Sequence, residues 1–279
     1  MTHTILLALA PIFFVMALGY AAGLLHVVDN RQVDALNAVV MDFALPTSLL
    51  VATASATRGE LVAQAPLFAV LAVVMLVLFL GWYGIARAFA RATGADASLQ
   101  AVTIAFPNLA GVGLPIASAV MGASGTIPVA VALAAGCIVV NPLSLILVEL
   151  GSPTGAAGRS PQHILAALRR SLSKPVVLAP ALGILLALAG LKLDPILDAS
   201  LGLIGQAAAG LALFLTGLIL SAQPFRLDWR VVAATWAADI LRPLLTAALV
   251  LHLPVAPEVA RTAILLAAVP SGFFGILFA

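Results

Sequence analysis

A chain of 279 residues that is 63% hydrophobic and 9% charged is excluded from the soluble class. Soluble domains carry about a quarter charged residues. Mean hydropathy is +1.19, and the apolar residues fall in runs of about 18–25, the length that crosses about 30 Å of hydrocarbon. The net charge of +2 says little, because in a polytopic α-helical membrane protein the placement of Lys and Arg matters more than their sum.

In chain order, helix one is predicted from Thr4 to Leu25, helix two from Gln32 to Ala54, and helix three from Pro66 to Ala90. Helix four follows from Ser98 to Met121 and helix five from Thr126 to Leu150. A polar joint, GSPTGAAGRSPQH, leads into the basic residues Arg169, Arg170 and Lys174. Helix six is predicted from Pro175 to Leu191, helix seven from Pro195 to Ser221, helix eight from Asp228 to Leu251, and helix nine from Pro257 to Ala279. The first apolar run has no basic region before it and continues to Leu25, so it reads as a retained span and not as a cleaved signal. Cys137 is alone and the histidines His3, His26, His163 and His252 are scattered, so neither a disulfide nor a metal site is expected. No P-loop, dinucleotide fingerprint or acidic metal cluster is present, and neither a nucleic-acid partner nor a cofactor is expected.

Orientation follows from the loops. With the N-terminus outside, the inner joints hold Arg31, Arg87, Arg91, Arg159, Arg169, Arg170, Lys174, Arg226 and Arg230, and the outer joints hold Arg58, Lys192 and Arg261. Nine against three places the central joint in the cytoplasm of a multi-pass protein of the cytoplasmic (inner) membrane.

The halves of the chain resemble each other. AFPNLAGVG in helix four matches AVPSGFFGI in helix nine, with Pro107 on Pro270 and Asn108 against Ser271. LAPIFFVMALGYAAG in helix one matches LAPALGILLALAG in helix six, with Pro11 on Pro180. A repeat with an odd number of helices enters the membrane from opposite sides in its two copies. The division is therefore residues 1–150 as a first five-helix repeat, 151–173 as a cytoplasmic joint, and 174–279 as a second repeat that reads as truncated after helix nine. Inverted repeats, each with a broken helix, are the pattern of secondary transporters.

The break itself, AFPNLAGVGLP, lies at mid-depth. Pro107 and Pro115 lack an N–H, and Gly111 and Gly113 loosen the backbone between them. Freed backbone groups in hydrocarbon are tolerated only against protein or a water-filled cavity. A half-helix beginning near Gly111 to Pro115 would aim N–H groups and a positive dipole end at the midplane, and helix nine would do the same from the other side after Pro270. Two such ends favour a carboxylate, while the facing carbonyl ends suit a cation or water.

FALPTSLL (Phe43 to Leu50), FPNLAGVGLP (Phe106 to Pro115), NPLSLILVE (Asn141 to Glu149) and AAVPSG (Ala267 to Gly272) together resemble the auxin efflux carrier family, in its bacterial branch that includes malonate carriers. The resemblance implies ten helices, a mid-membrane crossing of helices four and nine, and transport of small organic anions. It also implies a scaffold of helices one, two, six and seven. A tenth helix of about 20 residues is not found after Pro270.

Substrate contacts are expected from Pro107, Asn108, Leu109, Ala110, Gly111 and Pro115 on helix four, and from Pro270, Ser271 and Gly272 on helix nine. Thr47 and Ser48 on helix two and Asn141 on helix five are further candidates. The bland roles are helix–helix glue for Asn108, a hydroxyl bonded to its own i−4 carbonyl for Thr47, and backbone repair beside Pro142 for Asn141. Asp42 reads as an isolated buried carboxylate able to carry a proton. Asp239 and Arg242 stand at i, i+3, spaced to neutralise each other, with Arg242 as the alternative counter-charge for a substrate acid. A proton or sodium gradient would supply the energy. Gly19 and Gly23 form a small-xxx-small pair suited to close packing or a homodimer face.

The expected function is a secondary active transporter of a small organic anion, a mono- or dicarboxylate such as malonate, and no enzyme activity. Two alternatives stand beside it. One is a sodium-coupled symporter of the related bile-acid type. The other is an intramembrane serine hydrolase built on GASG (Gly122 to Gly125), which lacks an evident histidine partner for Ser124.

Overall fold

The computed structural model describes residues 2–29, 33–89, 91–151, 165, 169, 172–222 and 235–271, and among these the regular elements are helical. Four described stretches are long and apolar enough to cross a membrane: Val33–Ser55, Arg58–Ala88, Leu109–Val148 and Pro195–Ala222. The chain is an all-α polytopic membrane protein. Of the basic residues placed in inner joints, Arg31, Arg159, Arg170, Arg226 and Arg230 lie outside the described residues, as does the end of predicted helix nine from Gly272 onward.

Several helices begin earlier than hydropathy suggests, because polar caps set their starts. The helix Gly94–Ala105 is capped by Thr93, whose Oγ1 accepts the Asp96 N–H at 3.1 Å. Thr57 and Glu60 form a reciprocal capping box, with the Thr57 N–H on Glu60 Oε2 at 2.7 Å and the Glu60 N–H on Thr57 Oγ1 at 3.2 Å. That box starts Arg58–Ala63, ahead of the long helix Ala65–Ala88. Gly122, at φ 68, ends the helix Leu114–Met121 and separates it from Thr126–Ala135. The single apolar stretch Leu109–Val148 is thereby interrupted at the joint that the sequence places between helices four and five.

Four described segments are π-helical: Val39–Ala44, Leu109–Gly113, Gly136–Val140 and Ala237–Leu241. Each stops two residues before a proline, namely Pro46, Pro115, Pro142 and Pro243. A proline ring clashes with the carbonyl four residues back, and its missing N–H leaves that carbonyl without a donor. Widening the turn by one residue avoids the clash. The shift is visible where the Leu45 N–H reaches the Val40 carbonyl and the Asn141 N–H reaches the Gly136 carbonyl, five residues back in both cases. Pro11 and Pro180, the pair aligned between the halves, sit inside α-helices without such a turn.

The contacts divide the chain into two compact units. The first comprises Met1–Val62, Leu109–Ala130 and Pro175–Leu227. In it the helix Thr2–Leu24 packs along Ala208–Ala222, and Leu45–Ser55 is flanked by Pro175–Leu188 and Pro195–Gly205. Backbones meet at small residues, as is usual where lipid supplies no hydrophobic drive between helices. A Cβ on Gly19 would strike the Phe214 carbonyl, one on Gly217 the Met16 carbonyl, and one on Gly23 the Ser221 hydroxyl. Gly19 and Gly23 thus serve close packing inside this unit. Predicted helix seven is broken, with Pro195–Gly205 and Ala208–Ala222 separated at Gln206 and Ala207. The Ala207 N–H turns back to the Ile204 carbonyl at 3.2 Å, which tightens and ends the first piece.

The second unit comprises Ala63–Asn108, Val131–Lys174 and Asp228–Ala279. Its axis is Ala65–Ala88, whose buried Leu67, Val70, Leu71, Val74, Met75, Leu78 and Phe79 recur at helical spacing. Against it pack Gly94–Ala105, Arg242–His252 and Pro257–Ala267. Gly94–Ala105 also packs on Asn141–Gly151, where the buried Ser98 Oγ lies 3.0 Å from the Ser144 carbonyl and 2.9 Å from its Oγ.

Candidate functional site

In the second unit the two proline breaks meet. Gly94–Ala105 ends, and Phe106 is extended at φ −102, ψ 110, the conformation forced on a residue before proline. Pro107 then pairs with Ser271 in an antiparallel bridge. The Asn108 N–H donates to the Pro270 carbonyl at 2.8 Å. Two short extended segments therefore close on each other where each helix has lost its own ladder.

Four more backbone groups at the breaks are met by one turn of another helix. Arg242 Nε donates to the Ala267 carbonyl at 2.7 Å and Nη1 to the Ile104 carbonyl at 2.8 Å. Its Nη2 donates to the Val269 carbonyl. Asp239, three residues earlier, accepts the Ser271 N–H on Oδ1 at 3.3 Å. The same oxygen stands 4.0 Å from Arg242 Nη2, the outer edge of an ion pair. Asp239 and Arg242 thus pair at i, i+3 as their spacing suggests, and Arg242 has further partners besides. Arg242 is 1% exposed and spends its hydrogen bonds on carbonyls, because the ends of two helices leave those acceptors bare.

The chain becomes helical again at Leu109, immediately after Asn108. This shifts the expected half-helix start from Gly111–Pro115 to Leu109. Gly111 and Gly113 lie within the π-helical turn that accommodates Pro115. Leu109, Ala110, Gly111 and Pro115 are all buried and belong to the first unit.

Asn108 and Asn141 are both buried, and Asn141 Nδ2 reaches Cys137 Sγ at 3.7 Å. Asn141 Oδ1 and Ser271 Oγ are buried without a hydrogen-bond partner. Both are in the second unit, where such orphans are costly. Gly272 lies outside the described residues.

Thr47 donates its hydroxyl to the Phe43 carbonyl at 2.8 Å and also lies 3.0 Å from the Ala44 carbonyl. Asp42 is exposed, which corrects the expectation of a carboxylate enclosed by protein. Val40 and Ala44 take the buried face of that turn, and Asp42, midway between them, points away from it.

Ser48 lines a cavity of about 520 Å³ in the first unit, together with Ser55, Glu60, Ser118, Ser124 and Gln206. Its lining includes no Lys, Arg or His. Ser124 donates to the Met121 carbonyl at 2.8 Å, a local bond within the turn. Ser55, Ser118 and Gln206 were not legible as site residues. Isolated hydroxyls in apolar helices carry no periodic signal, and Gln206 is exposed to this cavity only because helix seven breaks there.

A family model described as "Membrane transport protein" matches residues 4–279. Similar curated proteins are the "Uncharacterized transporter YfdV" of Escherichia coli strain K12 and its namesakes in Escherichia coli O157:H7 and Shigella flexneri. Each is 32% identical over 275 residues, which cover 97% of this chain and 86% of the relative.

Proposed function

The chain belongs to the membrane transport protein family of the auxin efflux carriers, and from that premise we propose that it is a secondary active transporter of a small organic anion. The substrate class is a mono- or dicarboxylate such as malonate. The path lies through the cytoplasmic membrane, with the N-terminus outside, and transport runs by alternating access around the crossover. That the protein is a multi-pass membrane transporter follows from the family; the anion and the mechanism are our reading.

The observation that carries the reading is the meeting of the two breaks, with Asn108 N–H on the Pro270 carbonyl and Pro107 beside Ser271. The antiparallel bridge supports an inverted relation between the first repeat, 1–150, and the second, 174–279. The chain turns helical again at Leu109, and the positive end of a helix favours a carboxylate. Leu109, Ala110 and Gly111 are the substrate contacts proposed in the first unit. Asn108, Asn141 and Ser271 are those proposed in the second unit, where Asn141 Oδ1 and Ser271 Oγ are buried and unmatched. Asp42 is the proposed coupling residue. A flux assay in proteoliposomes tests the reading: Asn108→Leu and Pro270→Ala should each cut transport of small mono- and dicarboxylates by at least about tenfold.

A further inference from the structure

Broken-helix carriers commonly hold their coupling cation on the carbonyls at the C-terminal ends of the half-helices. Each such end carries roughly half a negative charge. In this chain those carbonyls are taken. Ile104 lies in the last turn of Gly94–Ala105, Ala267 ends Pro257–Ala267, and Val269 follows it. All three carbonyls accept from Arg242, one from each guanidinium nitrogen, and the side chain is buried.

We propose that Arg242 is a tethered cation that occupies the place of a coupling metal ion, so that transport requires no sodium at the crossover. A guanidinium keeps its charge at any physiological pH, and its planar fork reaches three acceptors at once. Asp239 completes the arrangement from the same helix. It balances the guanidinium at 4.0 Å and takes the Ser271 N–H on the far side of the break. The ends left bare by helix nine are thus met by a cation on the carbonyl side and a carboxylate on the amide side. Both come from one turn of Arg242's own helix and the π-helical segment before it.

The emptied site would be an ion site. Without the guanidinium, three carbonyl oxygens and the Asp239 carboxylate form a set of hard oxygen donors of the kind alkali and alkaline-earth cations take. Arg242→Ala should therefore acquire a dependence on a small cation that the unaltered chain lacks.

The test is thermal unfolding of the purified chain and of Arg242→Ala, in sodium chloride and in choline chloride of equal ionic strength. Ethylguanidinium is added in a further arm. The unaltered chain should melt at the same temperature in both salts. Arg242→Ala should melt on the order of 10 °C lower in choline, and recover saturably with sodium or ethylguanidinium. If Arg242→Ala does not fold, Arg242→Lys replaces it, because one ammonium cannot span the three carbonyls and a loss of stability is still expected. Saturable stabilisation of the unaltered chain by sodium would overturn the proposal. So would an Arg242→Ala protein as stable as the parent, or one indifferent to both cations. In proteoliposomes, flux should be unchanged when sodium is replaced by choline on both sides. That arm rests on the transporter reading, whereas the unfolding arm does not, so a chain with no flux still reports on Arg242.

Discussion

The backbone N–H of Asn108 donates to the carbonyl of Pro270 at 2.8 Å, so that each interrupted helix supplies the partner the other has lost. The bond uses main-chain atoms only. Its existence depends on the prolines, which keep both segments extended, and not on the asparagine side chain. Around this bond Arg242 and Asp239 meet further backbone groups, and their opposite charges serve opposite ends of the breaks.

Asp239 should matter for stability through Ser271. In Asp239→Ala the Ser271 N–H loses its acceptor, and Arg242 loses its only nearby carboxylate among the described residues. A part-buried N–H without a partner costs about 1–3 kcal/mol, or on the order of 5 °C in melting temperature. Asp239→Asn retains an acceptor oxygen and should lose less. Thermal unfolding of the two variants in detergent checks the order.

Packing in the first unit makes a second prediction at two glycines of one helix. Gly217→Ala would drive a methyl into the Met16 carbonyl, whereas Gly210 has nothing within 4 Å of a Cβ. The first change should destabilise by about 1–3 kcal/mol. The second should be neutral or stabilise by up to about 1 kcal/mol, because alanine is the better helix former. Melting temperatures of the pair decide it.

Asp42 is the candidate coupling residue. It stands four residues before Pro46 in a π-helical turn, within an apolar helix and away from its buried face. If it carries the coupled proton, a pH step across a proteoliposome membrane drives flux in the parent and fails to do so in Asp42→Asn. Substrate exchange without a pH step should survive the substitution.

Much of this was legible in the sequence, and the rest was hidden for physical reasons. Hydropathy gives the spans because hydrocarbon admits only apolar helices of sufficient length. Pro107 and Pro270 marked the breaks because a proline removes a helical hydrogen bond and both recur at matched places in the two halves, although Pro11 and Pro180 are accommodated within helices. The true start of the second half-helix, Leu109, was not legible: AGVG looks loose by composition, yet it forms the wide turn that Pro115 needs. The π-helical turns before Pro46, Pro142 and Pro243 were hidden for the same reason, since a proline alone does not say whether the helix kinks, ends or widens. Spacing brought Asp239 and Arg242 to one face but could not show that the carbonyls of Ile104, Ala267 and Val269 would draw the guanidinium more closely than the carboxylate does. Those acceptors come from backbone far away in the chain, and backbone leaves no mark on side-chain pattern.

The central claim is that the crossover of the two broken helices binds and carries a small organic anion. Uptake of labelled malonate and of other short mono- and dicarboxylates into proteoliposomes tests it most directly, with the parent chain compared against Asn108→Leu and Pro270→Ala. Saturable flux is expected for the parent. A loss of at least about tenfold is expected for each variant, equivalent to about 1.4 kcal/mol or more, with Asn108→Leu still folded because the main-chain bond to Pro270 persists. Flux unchanged in both variants would contradict it.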